Sequence, residues 1–447
     1  MSVRSYNKSV LDSIVRACSA TKAEAYIVGG MPRDKLLKRE CKDVDILVIN
    51  KPAITIAEYL HKKEGFHRPV IFKRFGTIRV GRDDIEVEIV NLRDKDLKGD
   101  LLHRDFTVNT LLMNITENGP GQIIDMLECG INDIKEGILR TPVDPVLSIQ
   151  EDPVRMMRAF RFSAVLGFKI APELEEAIKN CAELIKKSPA ERVRDEFEKI
   201  ILSSRPSLTL EDLHGSGLLA YILPELDETY EFDQHSPYHH EDLFHHTLSV
   251  IDRAKPELEI RLSALFHDLG KKDAQRVVNE KVVHYGHQDY SVMKTKRAMR
   301  RLRFPKKLIE TVTFLVQHHM VQYTPEWSDS AVRRFVRKMG SRLDHMLELL
   351  DADWGSLKHK ENFNLLNELK DRISKLKVDE IIHVRSPIDG HEIQKILGIP
   401  EGPEVGRAKD AIVNAIIEKI ISPTPAAAKK FLLKNRKLVL KGVSQNQ

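Results

Sequence analysis

The stretch YIVGGMPRD (26–34), followed closely by KDVDILV (42–48), decides how this chain reads. An apolar run ending in Gly29 and Gly30 and passing into MPRDKLLKRE predicts a strand that turns into a helix, and glycines at that corner let backbone N–H groups approach a phosphate at the helix N-terminus. A plain tight turn would need the same glycines, so the acids that follow carry the argument. Asp43 and Asp45 lie two apart on a strand, which projects both carboxylates from one face. Such a pair repels itself unless a cation bridges it, and hard oxygen ligands suit Mg2+. Glu88, in EVEIVNLR (86–93), is a candidate third acid from a neighbouring strand.

Outward from that stretch, short β-like runs alternate with helical ones from Ala23 to Leu112. ITIAEYLHKK (54–63) reads as helix, and RPVIF (68–72), GTIRV (76–80) and IEVEIVNL (85–92) read as strands. Beyond Pro153, apolar residues recur every three or four positions in PVRMMRAFRFSAVLGF (153–168), LEEAIKNCAELIKK (174–187) and AERVRDEFEKIIL (190–202). The fold class is therefore α+β, a small mixed sheet with helices followed by an all-α remainder. Punctuation at SSRPS (203–207), DQHSPYHH (233–240) and RSPIDG (385–390) predicts a head over 1–140, a helical neck over 141–205, a helical domain over 206–384 and a helical tail over 385–447. The basic AAAKKFLLKNRKLVLKG (426–442) reads as a solvated terminal helix rather than an RNA arm.

With 447 residues, 42% of them hydrophobic, the chain can bury real cores and is neither disordered nor fibrous. No apolar run reaches the roughly 18 residues of a membrane span, and the polar opening MSVRSYNKSV lacks a secretory pattern, so the expected location is the cytoplasm. Four scattered cysteines without a CxxC pair argue against a disulfide framework or a thiolate zinc site. A net charge of +5 permits an RNA or nucleotide partner without demanding one, whereas 18 histidines invite a search for a metal centre.

GGMPRD, DVD, HRDFTVNTLLMNI (103–115), EDPVRMMRAFRF (151–162) and ERVRDEFEK (191–199), in that order, resemble the tRNA nucleotidyltransferase and bacterial poly(A) polymerase family, class II branch. The resemblance implies a polymerase-β-like head and nucleotidyl transfer from CTP and ATP to a tRNA 3′ end. On it, Asp43 and Asp45 would hold Mg2+, with Glu88 as the third catalytic acid, and Gly29, Gly30, Arg33 and Asp34 would bind the triphosphate. Arg104, Asp105 and Asn109 would position sugar and phosphates. Asp152, Arg155, Arg158 and Arg161, at a spacing of three on a helix starting at Glu151, would span the incoming nucleotide; Asp152 and Arg155 would read the donor–acceptor edge that cytosine and adenine share. His103 and Pro32 stand where the family usually has Arg and an apolar residue. Only nine residues, DKDLKGDLL (94–102), connect the strand ending at Arg93 to the His103 motif, where the family usually has a longer flexible segment. That predicts CC addition with slow terminal A addition.

In the second half, LFHHTLSVID (243–252), LSALFHDLGKK (262–272), HYGHQDYS (284–291), VQHHM (316–320) and LDADW (350–354) place chemistry-bearing residues in series. Leu262, Leu265, Phe266 and Leu269 form an apolar stripe that leaves His267 and Asp268 side by side at a helix end. With His245 or His246 (His246 preferred) and Asp353, the set resembles the HD phosphohydrolase superfamily, which implies a divalent transition metal. His287 and one of His318 and His319 would extend its shell. Two other functions fit parts of this pattern: a poly(A) polymerase, and an HD phosphohydrolase whose head only binds RNA.

Overall fold

The computed structural model describes residues 3–41, 43–72, 76–234, 242–356, 360–436 and 439. The chain divides into two compact units, Met1–Pro224 and Glu225–Gln447.

In the first unit, α1 (Val3–Thr21) leads into β1 (Ala25–Val28), α2 (Gly30–Leu36), β2 (Val44–Val48), α3 (Ala53–Glu64), β3 (Val70–Phe72), β4 (Thr77–Arg82), β5 (Ile85–Asn91), α4 (Leu97–Leu102), β6 (Leu112–Thr116) and β7 (Gly119–Ile124). The strands form one sheet in the order β3-β4-β5-β2-β1-β6-β7. It is mixed: β2 and β5 run parallel, while β2 and β1, and β1 and β6, run antiparallel. Alternation along each strand sorts side chains between two faces. Val44, Ile46, Val48, Val87 and Ile89 pack with Ile14 of α1 and Ile56 and Leu60 of α3 in the main core. Leu47 belongs instead to a smaller cluster with Val28, Leu101 and Leu112 on the opposite face. Asp45 and Glu88 share the phase of that second face, so the pleat itself keeps both acids out of the main core.

The rest of this unit is α5 (Gly130–Glu136), β8 (Ile138–Leu139), α6 (Pro145–Glu151), α7 (Val154–Leu166), β9 (Lys169–Ile170), α8 (Pro172–Cys181), α9 (Ala190–Ile201), α10 (Pro206–Gly215) and α11 (Leu219–Ile222). The helix expected to start at Glu151 is in fact two helices. α6 ends there, Asp152 is extended at φ −147° and ψ 96°, and α7 begins after Pro153. Proline accounts for the break, since it supplies no N–H and biases its predecessor to extended backbone. The division between the two compact units falls at Pro224/Glu225. SSRPS is only a corner: α10 packs back on α7 and α9, burying Leu210 and Leu213.

In the second unit, α12 (Pro224–Asp227), α13 (Leu243–Arg253), α14 (Leu258–Phe266), α15 (Lys271–Ala274), β10 (Arg276–Val278), β11 (Lys281–Val283), α16 (His287–Arg301), α17 (Lys306–His318), α18 (Asp329–Met339), α19 (Leu343–Ser356), α20 (Lys360–Ser374) and α21 (Val378–Ile382) precede α22 (Gly390–Leu397), α23 (Pro403–Ile417) and α24 (Pro425–Lys434). The remainder is thus not wholly helical. β10 and β11 form a hairpin whose two turn residues, Asn279 (φ 50°) and Glu280 (φ 60°), are both left-handed, as a tight hairpin turn demands. α14 is buried on every side rather than along one stripe, from Ile260 to Phe266. Ile388, Ile393, Leu397, Ile412, Ala428 and Leu432 form a cluster of their own near the end of the chain. The expected boundary segment at 233–240 falls largely outside the described residues, as does most of the chain beyond Arg436. Among the described residues no helix is long and apolar enough to cross a membrane.

Candidate active site and a histidine-rich centre

β1 and β2 pair so that Val28 faces Asp45, and β2 and β5 pair so that Asp45 faces Glu88. The turn after β1 therefore lies directly on the acids. Gly29 has φ 72°, and a Cβ there would sit 2.7 Å from Asp45 Oδ2, so both backbone and space require glycine. Burial pushes Asp45 up to about 6, with Glu88 and Asp43 adding to the shift and Arg104 opposing it. Glu88 is itself held by Arg79, whose Nε donates at 3.0 Å. Asp43 stands exposed just before β2. Three carboxyl groups in such surroundings fit a hard divalent cation, which would relieve the repulsion.

A chain of charged hydrogen bonds runs from this corner to α7. Arg33, nearly buried, donates to Asp34 (2.9 Å) and to Asn109 (2.6 Å); Asn109 Nδ2 donates to Asp105 (3.0 Å); and Asp105 accepts from Arg158 at 2.8 and 2.5 Å. Burial opposes ionisation of Asp105, yet Arg158 and Asn109 outweigh it and hold the carboxyl down to about 2. Glu196 of α9 then joins Arg158 to Arg161. Arg33, Arg158 and Arg161 all lie over the Phe162 ring, at 5.1, 5.5 and 3.8 Å from its centroid. Arg104 contributes a buried Nε with no hydrogen-bond partner, as expected of a donor kept for an anion.

The arginine row does not present one open face. Arg155 is turned inward, donating to Ser148 Oγ (2.9 Å) and to the His103 carbonyl (2.6 Å), and its ion-pair partner is Glu151 at 3.1 Å. The cation bound to both oxygens of Asp152 is Arg192, at 2.9 and 2.7 Å. Sequence reasoning gave no role to Arg192 or Glu196. A signal was present: they lie four apart on α9, in register with the buried Val193, Phe197 and Ile200.

The second centre lies wholly in the second unit. Asp268 Oδ2 is 3.2 Å from His267 Nε2 and 3.7 Å from His246 Nε2, while its Oδ1 is 3.0 Å from His287 Nε2 and 3.4 Å from His319 Nε2. Asp353 Oδ1 approaches His246 and His267 at 3.6 and 3.7 Å. Three of the rings are oriented alike: Nδ1 of His267, His287 and His319 donates to the carbonyl three residues back, of Ala264, His284 and Val316. A carbonyl only accepts, so Nδ1 is the donor in each ring and Nε2 is the atom turned toward Asp268. Burial opposes charge on His267, but Asp268 and Asp353 overcome it and raise the ring to about 10. The donor set fits a divalent transition metal. The two histidine pairs are resolved as well. His246 faces the cluster while His245 bonds Asp242, and His319 faces it while His318 packs on Phe314.

A mixed sheet that sets paired acids beneath a Gly-Gly turn, with arginines reaching in from a helical neck, defines a polymerase-type nucleotidyltransferase. Residues 25–140 match the poly(A) polymerase head domain, and residues 167–230 match a family described as a probable RNA- and SrmB-binding site of polymerase A. The CC-adding tRNA nucleotidyltransferase of Thermus thermophilus is 31% identical, with 92% of this chain and 94% of that one covered. The multifunctional CCA protein of Nitrosococcus oceani is 32% identical over 74% of this chain and 84% of its own. The crystal structure of the Bacillus stearothermophilus CCA-adding enzyme in complex with CTP shares the fold, with a TM-score of 0.70 at 22% identity over 96% of this chain and 98% of that chain. The chain belongs to the tRNA nucleotidyltransferase family and is an enzyme.

Proposed function

We propose that this chain adds C residues from CTP to the 3′ end of tRNA, with terminal A addition from ATP slow, and that its second unit is a metal-dependent phosphohydrolase. The observation that carries the first part is the register of Asp45 with Glu88 beneath the Gly29 turn. Asp43 and Asp45 would hold two Mg2+ ions, whose charge lowers the pKa of the attacking 3′-hydroxyl and offsets that of the departing pyrophosphate. The backbone at Gly29 and Gly30, with Arg33 and Arg104, grips the triphosphate, and Asp105 and Asn109 keep Arg33 and Arg158 aimed at it. Asp152 accepts from the exocyclic amino group that C and A share, Arg155 donates to the adjacent ring nitrogen once it swings away from Ser148 and the His103 carbonyl, and Arg192 holds Asp152 in place. Arg155→Ala should therefore lower the preference for CTP over UTP by about ten-fold or more, whereas Arg192→Ala should raise KM for both nucleotides together. Unchanged discrimination in Arg155→Ala would move the donor elsewhere.

The slow A step rests on the connection 94–102. It holds the short helix α4, capped by Asp96 at 2.7 Å from the Gly99 amide, and its buried Asp100 accepts from the Arg93 amide at 3.0 Å. A segment tied at both ends offers no lever to shift the base-reading residues from a pyrimidine to a purine. Incubation with tRNA transcripts ending in N, NC and NCC and each labelled nucleotide tests this. Addition of A to the CC-ending transcript as fast as C addition would refute the CC-only reading, and long A tails would make the enzyme a poly(A) polymerase.

At the second centre, His246, His267, Asp268 and Asp353 would hold one divalent transition-metal ion, and Asp268 Oδ1 with His287 and His319 a second. Metal there would supply Lewis acidity toward a phosphoester such as the 2′,3′-cyclic or terminal phosphate of an RNA end. Lys271 Nζ, 2.6 Å from Asp268 Oδ2, adds a cation for the phosphate. Hydrolysis of bis(p-nitrophenyl) phosphate after loading with Mn2+, Co2+, Ni2+ or Zn2+, with metal content measured in parallel, tests the reading. No hydrolysis with any loaded ion would refute it.

A further inference from the structure

Arg155 is held inward by three residues, and one of them is shared. Its Nη1 donates to Ser148 Oγ (2.9 Å) and lies 3.1 Å from Glu151 Oε2, while its Nη2 donates to the His103 carbonyl (2.6 Å). The other oxygen of Glu151, Oε1, is 3.1 Å from Nδ1 of the His103 ring, whose Nε2 is 3.6 Å from Asp94 Oδ2. His103 thus stands between two acids, Glu151 at the end of α6 and Asp94 in the connection 94–102, and its own carbonyl helps to hold Arg155. Arg104, next in the chain, is paired with Asp100 at 3.5 Å. Arg155 is buried, whereas the side chains of His103 and Glu151 are 47% and 42% exposed, so solvent protons reach the ring while the guanidinium stays inside.

An imidazolium carries a donor at each nitrogen and answers both carboxylates; a neutral ring carries one donor and leaves the other carboxylate facing a lone pair. We propose that His103 is the positioning residue that sets how firmly Arg155 is held, and through it how strictly the enzyme tells CTP from UTP. With the ring protonated, Glu151 divides its charge between two cations and Arg155 swings out to the base. With the ring neutral, Glu151 is left to Arg155 and the guanidinium stays on Ser148. Discrimination is therefore sharper on the acid side of the imidazole range. The proposal rests on the reading of Arg155 as the donor to the base nitrogen and adds the group that governs its release. Because the ring and both acids are partly exposed, the effect is bounded at about five-fold.

The test is the ratio of kcat/KM for CTP to that for UTP, measured with the full chain in Mg2+ on a transcript ending in N, from about pH 6 to about pH 8.5. A ratio cancels every pH dependence that the two nucleotides share, that of Asp45 and of the attacking hydroxyl included. In the parent it is expected to fall by up to about five-fold across this range. His103→Arg, charged throughout, is expected to hold the parent's acid-end ratio at the alkaline end. His103→Gln is expected to show the parent's alkaline-end ratio at the acid end, and Glu151→Gln to give a high ratio that pH does not move. A ratio that is flat in the parent and unmoved by His103→Arg, while Arg155→Ala still loses discrimination, would overturn the role of His103 and leave the base reading standing. A fall that persists in His103→Arg or Glu151→Gln would assign the titration to another group and overturn it as well. Full discrimination in Arg155→Ala would overturn both.

Discussion

Asp45 concentrates the conflict between folding and function in this enzyme. Its carboxyl, raised to about 6 by burial and by Glu88, binds a proton in the folded state through a window in which the unfolded chain has lost it. Metal-free stability attributable to this group therefore falls as pH rises from about 4 through 6 and stays lower above that, by roughly 2–3 kcal/mol. Asp45→Asn should then be more stable than the parent in chelator at pH 7.5 and little different at pH 4, while Mg2+ should raise the melting temperature of the parent alone. Thermal denaturation at both pH values checks this, and a variant less stable at pH 7.5 would contradict it. A second residue-scale prediction concerns the adjacent histidines. His319 is buried against Asp268 and His318 packs on Phe314, so His319→Ala should lower bound transition metal while His318→Ala leaves it unchanged, as measured by elemental analysis. Equal losses would remove the distinction.

At the scale of elements, α9 braces α7, the neck helix proposed to face the nucleotide. Glu196, 6% exposed, is the common partner of Arg158 and Arg161 on α7, and Arg192 one turn earlier holds Asp152 at the corner before it. Glu196→Gln leaves Arg161 without its carboxylate and Arg158 with Asp105 alone, which should cost on the order of 3 kcal/mol and raise KM for the nucleotide more than it lowers kcat. Denaturant unfolding and steady-state kinetics check both parts; an unaltered KM would restrict α9 to a structural role. Much of this level was legible beforehand. The period of two in IEVEIVNL and the three-to-four spacing in AERVRDEFEKIIL correspond to β5 and α9. What escaped was the broken helix at Asp152, because a local hydrophobic pattern runs through Pro153 without registering the lost N–H.

For the whole molecule, the two centres lie in separate compact units, each assembled entirely from its own residues. Asp45→Ala should abolish nucleotidyl transfer and spare phosphohydrolysis, and Asp268→Ala should do the reverse. Loss of both activities from either single change, in a protein still folded by circular dichroism, would contradict the separation.

Local spacing sufficed for the strands and helices from Ala25 to Asn91, the acids at 43 and 45, the Gly-Gly turn and the family motifs, because a short window contains each pattern; α1, α4, β6 and β7 were not foreseen. Only the tertiary structure decided which member of each histidine pair faces the centre. Consecutive residues on a helix point about 100° apart, and the face that is buried depends on α14, α16 and α19, far away in sequence. Register across β2 and β5 set Glu88 beside Asp45, and the packing of α9 on α7 gave Asp152 to Arg192. These pairings join residues 40 or more positions apart, at distances along the chain where no periodicity within a segment specifies a partner.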